Sequence, residues 1–534
     1  MESEQDSFRI LHNLPKDGAS SGTPYSFRAT RPCVRKDEDP TSRKKDKSTV
    51  WKKTTGSEKE DYFLRFPFVE RLEGNFEKIT KPLKLLPVMI WIHGGAFVCG
   101  SSKTELCGPD FLITQNIVLV TFNYRLGLLG FLSFKDPTVN VPGNAGLKDQ
   151  VLVLKWVQKY ICEFNGNNKN VTLFGQDAGA ACVHLHMLSP LSKDLFHKVI
   201  MQSGCALNPW VNGLQNTGRL VGKLLNVKGS DYEILEHLKS ISVEELFRVQ
   251  ETLSNENRVD VIWLCSPVIE NRKFPGSFLI DTPINIITSG NFSKVPIIIG
   301  YTSREGMFWD IYNQQLTGKS KIITDFTKVI PNNLNCRRNS LLSNTIADQI
   351  EKFYYGSRLS STRMGRHPRF KKMDPLFQLV TDVFFLRGIF ATIKNHLEIA
   401  SSIPIYYYKF CYDTPLNIFK QMATALNRQK YPGAVHGDDL GYIFRTYLTF
   451  DTCFQDKNDY YIHTVTAFWT NFAKSGKPSS STFSQTTVNW EPTTKKNFHC
   501  LLLSSTLKSE HNPDMDRMHF WKKIYTNDER TKYL

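Results

Sequence analysis

Residues 171–188 read VTLFGQDAGAACVHLHML. Val171 to Phe174 is a short apolar run, built like a strand buried on both faces. Gly175 breaks it, and Ala178 to Leu188 predicts a helix of small and apolar residues. Strand, sharp turn and helix frame the pattern G-x-S-x-G, the nucleophile elbow. Its central residue sits in a strained turn, and the flanking residues must be small so that strand and helix can approach closely. Gly175 and Gly179 hold those flanking positions, while the central residue is Asp177 in place of serine.

Working outward, LPVMIWIH (86–93) and IVLVTFNYR (117–125) are continuous apolar runs that predict buried strands upstream. Leu147 to Tyr160 predicts a helix with Lys148, Lys155 and Lys159 on one exposed face. Downstream, KVIMQSG (198–204), VPIIIGYT (295–302) and PIYYYKF (404–410) repeat the strand texture, the last being the final clear core strand. Ser303 to Gly306 reads as a polar loop just past its strand. Residues 318–400 read as a long, helical, basic stretch, Thr464 to Lys474 as a late helix, and Trp521 as part of a terminal one. Strands alternating with helices predict an α/β fold with a large, mostly parallel sheet.

Composition bounds the rest. The chain has 534 residues, 41% hydrophobic and 12% aromatic, enough for a sizeable core. Residues 1–55 are polar, with mixed charge, and are expected to be poorly ordered ahead of a single body over 56–534. The N-terminus lacks a charged-then-apolar signal, and no apolar run approaches the ~20 residues that span a bilayer. The expectation is a soluble, cytoplasmic protein with no membrane span. Its 11 cysteines include no C-x-x-C pair and read as reduced thiols. The net charge of +16 is spread along the chain, with local clusters at 31–53 and 358–372. With no nucleic-acid motif beside them, these read as solvated surface, and no nucleic-acid partner is expected.

Several stretches together resemble the type-B carboxylesterase and cholinesterase family of α/β-hydrolases, in texture most like insect alpha-type esterases. They are PVMIWIHGGAF (87–97), NYRLGLLGFLS (123–133), VPGNAGLKDQ (141–150), the elbow and IMQSG (200–204). GYTSREG (300–306), VHGDDLGYIF (435–444), FAKSGKP (472–478) and Trp490 to Pro492 continue the match in family order. Before residue 86 it thins: EDYFLRFPF (60–68) stands where the family reads EDCLYLNVY, with Tyr62 at the usual disulfide cysteine. The resemblance implies an α/β-hydrolase fold, no cofactor and no metal, and a small lipophilic ester or xenobiotic as ligand.

It also implies roles, residue by residue. Asp177 takes the nucleophile position, Glu305 the triad acid and His436 the triad base. Gly94, Gly95 and Ala178 take the oxyanion hole, whose N–H groups face a developing alkoxide. Three departures accompany Asp177. Ala96 replaces a third glycine, so its methyl is expected to crowd the loop or tilt an N–H. Gln176 replaces the glutamate that commonly precedes the nucleophile. Asn165 replaces a glycine in FNGN (164–167), a mild change because asparagine tolerates the left-handed conformation.

Aspartate changes the chemistry. Its attack on an ester carbonyl gives an adduct whose best leaving group is the carboxylate itself, so the adduct collapses backwards. Loss of a triad nucleophile costs ~10⁶ in turnover in a well-studied serine hydrolase, about 8 kcal/mol of barrier. Two carboxylates beside His436 also favour the imidazolium, which is no general base. The resulting expectation is an impaired esterase that binds lipophilic esters, with an Asp–His ion pair across the site. Two alternatives stay open: a working hydrolase with an aspartate nucleophile, as in epoxide hydrolases and haloalkane dehalogenases, or an esterase-like protein-interaction module.

Overall fold

The computed structural model describes residues 84–256, 265–270, 276–311, 323, 325–334, 336–356, 369–427, 431–449, 456–479 and 488–526. All belong to one compact unit, Phe63–Leu534. The expected disorder of residues 1–55, the segment 60–68 and the basic cluster at 31–53 lie outside the described residues, as does most of the cluster at 358–372.

Eight strands form one sheet in the order β2-β1-β3-β4-β5-β6-β7-β8. They are β1 Leu86–Ile92, β2 Val118–Thr121, β3 Gly166–Gln176, β4 Lys198–Gln202, β5 Ile297–Thr302, β6 Ile405–Phe410, β7 His499–Leu503 and β8 Lys508–His511. All neighbours pair in parallel except β7 and β8, which are antiparallel. The apolar runs behave as parallel-sheet strands do, with both faces covered. In β1, Val88, Ile90 and Ile92 enter one core cluster, while Met89 and Trp91 enter the other. In β6, Ile405 and Tyr407 likewise separate from Tyr406, Tyr408 and Phe410. The helix Ala178–Leu188 covers the first face with Ala180, Ala181, Val183 and Leu185. The helix Asp456–Ser475 covers the second with Val465, Phe468, Trp469 and Phe472.

Strand order places the site. From β1 the chain steps outward to β2, then returns to the other side of β1 as β3 and runs on through β4 to β7. The order therefore reverses between β1 and β3, and ligands of open α/β sheets bind outside the carboxyl ends of the strands at such a point. His93 and Gly94 follow β1 there, and Asp177 follows β3.

Four readings need correction. β6 is not the last core strand: β7 follows it, and Cys500, Leu501 and Leu503 are buried. A five-residue run carries too weak a period to stand out. Lys148 does not share the exposed face of Lys155 and Lys159, because it is half-buried and bonded 2.7 Å from Glu270. The predicted strand 117–125 shortens to Val118–Thr121. Finally, Met373–Ile399 is, by length and composition, long and apolar enough to cross a membrane. Inside this fold 83% of its most apolar window is buried, as in a core helix.

Candidate functional site

The elbow is built by close backbone approach. An ideal Cβ on Gly179 would lie 2.0 Å from the Ile92 carbonyl oxygen, and one on Gly175 would lie 2.6 Å from the Gly179 carbonyl carbon. Only glycine fits either position without moving β1. Between them Asp177 takes φ 57° and ψ −124°, a strained turn conformation, and its N–H donates to the Gln202 carbonyl at 2.9 Å. The turn lifts the Asp177 side chain out at the strand ends, where it is 15% exposed.

Glu305 arrives from the end of β5, and His436 from a loop after the helix Ile418–Asn427. Glu305 follows β5 in a turn, is fully buried, and accepts from the Thr302 N–H at 2.6 Å. Its other carboxylate oxygen lies 2.5 Å from His436 Nδ1. His436 Nε2 faces Asp177 Oδ1 at 3.5 Å. Asp177, Glu305 and His436, read from sequence as a triad, are thus brought together, with the imidazole between two carboxylates. Burial works against charging His436, yet Glu305 and Asp177 together raise it to about 10. Burial likewise opposes charge on Asp177, but His436 and the N–H groups of Ala96 and Ala178 hold its carboxyl below the usual range. The resting pair is therefore imidazolium and carboxylate.

The oxyanion loop departs from expectation. Asp177 Oδ2 accepts from the N–H of Gly95 at 3.0 Å and of Ala96 at 2.9 Å. The two loop donors are one residue further on than the expected Gly94 and Gly95. Gly94 instead lies against the elbow, where a Cβ would meet the Gln176 carbonyl oxygen at 2.6 Å. The Ala96 methyl does not turn its N–H away. Ala96 accommodates it by adopting φ 52°, and Phe97 follows at φ 62°, a conformation costing about 1–2 kcal/mol for a side chain with Cβ. His93 supports the loop, stacked on Tyr124 at 4.5 Å, and burial lowers it to about 4, so it adds no charge.

Gln176 acquires a function that its spacing alone did not show. Its amide nitrogen lies 2.9 Å from His436 Nε2. A neutral ring accepts from that nitrogen; an imidazolium donates from both of its own, and calls for the amide oxygen instead. The family pattern of glutamate then serine carries one carboxylate over these two positions, and so does Gln176–Asp177.

Other supports were given no role by the sequence reading. Asp438 holds the loop of His436, accepting from the N–H groups of Val435 (2.7 Å), Phe419 (3.0 Å) and Lys420 (3.1 Å) and from Asn417 Nδ2 (3.0 Å). Burial pushes its carboxyl up to about 7 despite these donors. A π-helical turn, Asp382–Leu386, carries Phe385 to 4.7 Å from His436, and Phe308 lies 5.8 Å away on the same ring. Phe385 continues through Trp210 (6.3 Å) to Phe97 (6.2 Å), an aromatic wall beside the charged centre.

Comparison with known proteins follows the same lines. A model of the carboxylesterase family matches residues 75–521. Esterase B1 of Culex pipiens is 30% identical over 468 residues, 85% of this chain and 83% of that protein. Juvenile hormone esterase of Tribolium castaneum is 33% identical over 443 residues, 78% of this chain and 73% of that one. The crystal structure of juvenile hormone esterase from Manduca sexta, with OTFP covalently attached, matches with a TM-score of 0.70 at 27% identity. That match covers 83% of this chain and 82% of the other.

Proposed function

The chain belongs to the carboxylesterase family, and from that premise we propose that it binds lipophilic carboxylic esters without hydrolysing them at esterase rates. One observation carries this reading: Asp177 Oδ2 sits on the N–H groups of Gly95 and Ala96, where an ester's developing oxyanion belongs. Hydrogen bonds to a charged acceptor contribute about 1.5–3 kcal/mol each, so a neutral carbonyl does not displace the carboxylate. The occupied hole and the missing hydroxyl remove transition-state stabilisation together, while binding to the surrounding wall is untouched. The aromatic side chains of Phe385, Phe308 and Trp210 favour a lipophilic ligand.

We place the protein in the cytosol on its thiols. Nine cysteines lie among the described residues and all are free, the state a reducing compartment maintains.

The test uses purified wild-type protein. Aryl and aliphatic carboxylic esters should bind, as read by calorimetry or by displacement of a fluorescent ligand, with hydrolysis at the buffer rate. Organophosphates, and the OTFP that the Manduca sexta enzyme carries covalently, should leave no mass adduct at residue 177. Ester turnover in the ordinary enzymatic range of kcat/KM, about 10⁴ M⁻¹s⁻¹ or more, would end this reading.

A further inference from the structure

The arrangement that blocks acyl transfer leaves a different reaction open. Asp177 presents its two oxygens to different partners: Oδ2 is held by the N–H groups of Gly95 and Ala96, and Oδ1 faces His436 Nε2 at 3.5 Å. A carboxylate fails against an ester carbonyl because the tetrahedral adduct expels it again. Attack at sp³ carbon forms no such adduct, and the alkyl ester it leaves persists once the leaving oxygen is protonated. The proton donor is already in place, since His436 rests as an imidazolium between Glu305 and Asp177.

We infer that Asp177 is a nucleophile towards sp³ carbon, and that this site opens lipophilic epoxides to diols through an alkyl ester on Asp177. The inference rests on the same reading of Asp177 as the block to ester hydrolysis. In the first step Asp177 Oδ1 bonds to an epoxide carbon, the carbon–oxygen bond of the ring breaks, and the alkoxide takes the proton from His436 Nε2. The products are a β-hydroxyalkyl ester of Asp177 and a neutral imidazole. Alkylation also cancels the charge on Asp177, so His436 keeps one carboxylate neighbour, Glu305 at 2.5 Å, and becomes a base.

In the second step water attacks Cγ of Asp177 and gives a proton to His436. The oxyanion develops on Oδ2, against the N–H groups of Gly95 and Ala96 that already hold it. The hole therefore serves the enzyme's own ester instead of the substrate's. The tetrahedral adduct then expels the diol oxygen, which takes the hydroxyl proton. Carboxylate and imidazolium are both restored, and the net change is epoxide plus water to diol. An epoxide suits this cycle better than an alkyl halide, because only the ring-opened alkoxide consumes the resting proton. Phe385 and Phe308, 4.7 Å and 5.8 Å from the imidazole ring, favour an aryl substituent.

The experiment uses full-length wild-type protein, styrene oxide and water enriched in ¹⁸O. With enzyme in excess, the first turnover should give unlabelled phenylethanediol and one ¹⁸O in the peptide that contains Asp177. Asp177→Ser should lose diol formation down to the buffer background. No diol above background from wild-type protein would overturn the inference and leave the ester-binding reading standing. Label in the diol with none at Asp177 would also overturn it, since water would then have attacked the epoxide directly. Ester turnover by the wild-type protein is a separate outcome, and contradicts the ester-binding reading instead.

Discussion

Serine at position 177 would place one oxygen above the elbow; aspartate places two, and Oδ2 reaches the N–H groups of Gly95 and Ala96. That reach was not legible in the sequence, which showed a missing hydroxyl and an extra charge but not where the second oxygen would go. The charge itself was legible, because two carboxylates around one imidazole favour imidazolium in any close geometry. It has a consequence for titration. Burial opposes the charge on His436, but Glu305 and Asp177 raise its folded value to about 10, against ~6.5 for a free histidine. A raised value stabilises the fold in full below pH ~6.5, and that contribution is withdrawn as pH climbs through about 10. NMR of His436 should find both ring nitrogens protonated at pH 8 in the wild-type protein. In Asp177→Ser, the same resonances should report a neutral ring at that pH. A wild-type imidazole already neutral at pH 7.5 would refute the ion-pair description.

At the scale of elements, the elbow was the most legible part of the chain. Gly175 and Gly179 were explained by close approach before any coordinates, and the contacts supply the partners: the Gly179 carbonyl carbon and the Ile92 carbonyl oxygen. The helix Ala178–Leu188 begins and ends where its small apolar residues do. Less was visible where tertiary packing decides. The π-helical turn Asp382–Leu386 brings Phe385 to His436 from a stretch that read only as helical. β7 and β8 are short, so periodicity gave no purchase on them. The elbow makes a sharp forecast. In Gly179→Ala the new methyl meets the Ile92 carbonyl oxygen at 2.0 Å, and neither β1 nor the elbow helix can yield without moving Asp177 from its loop donors. Overpacking of this kind should cost about 3 kcal/mol, read as a lower urea midpoint at unchanged m-value. An unaltered midpoint would mean that β1 and the elbow helix are not in the contact described.

For the molecule as a whole, a parallel α/β sheet was legible because strands buried on both faces announce themselves as apolar runs, while the α/β-hydrolase fold was implied by the family resemblance; six of the eight strands were anticipated, β1, β4, β5 and β6 at nearly their full length. Glu305 and His436 could be assigned only by resemblance, since they stand 131 residues apart and meet through the sheet order. The loop donors on Asp177 are Gly95 and Ala96, and Ala96 takes a left-handed conformation, which composition does not forecast. The same sheet order makes position 177 decisive for the whole protein: the hole follows β1, and the base lies between β6 and β7; both meet Asp177 directly, and the acid, just past β5, reaches it through His436.

The most direct measurement is therefore kcat/KM for an aryl ester such as p-nitrophenyl butyrate, on purified wild-type protein and on Asp177→Ser. The substitution empties the hole, supplies a hydroxyl and removes one carboxylate from His436. The account predicts buffer-level hydrolysis by the wild-type protein and a gain of ~10³-fold or more in the variant, about 4 kcal/mol of barrier. Adding Ala96→Gly should change that rate little, because the Ala96 N–H already lies 2.9 Å from Asp177 Oδ2. A folded Asp177→Ser protein that still binds the ester but hydrolyses it no faster than wild type would contradict the claim that Asp177 alone closes this site to ester hydrolysis.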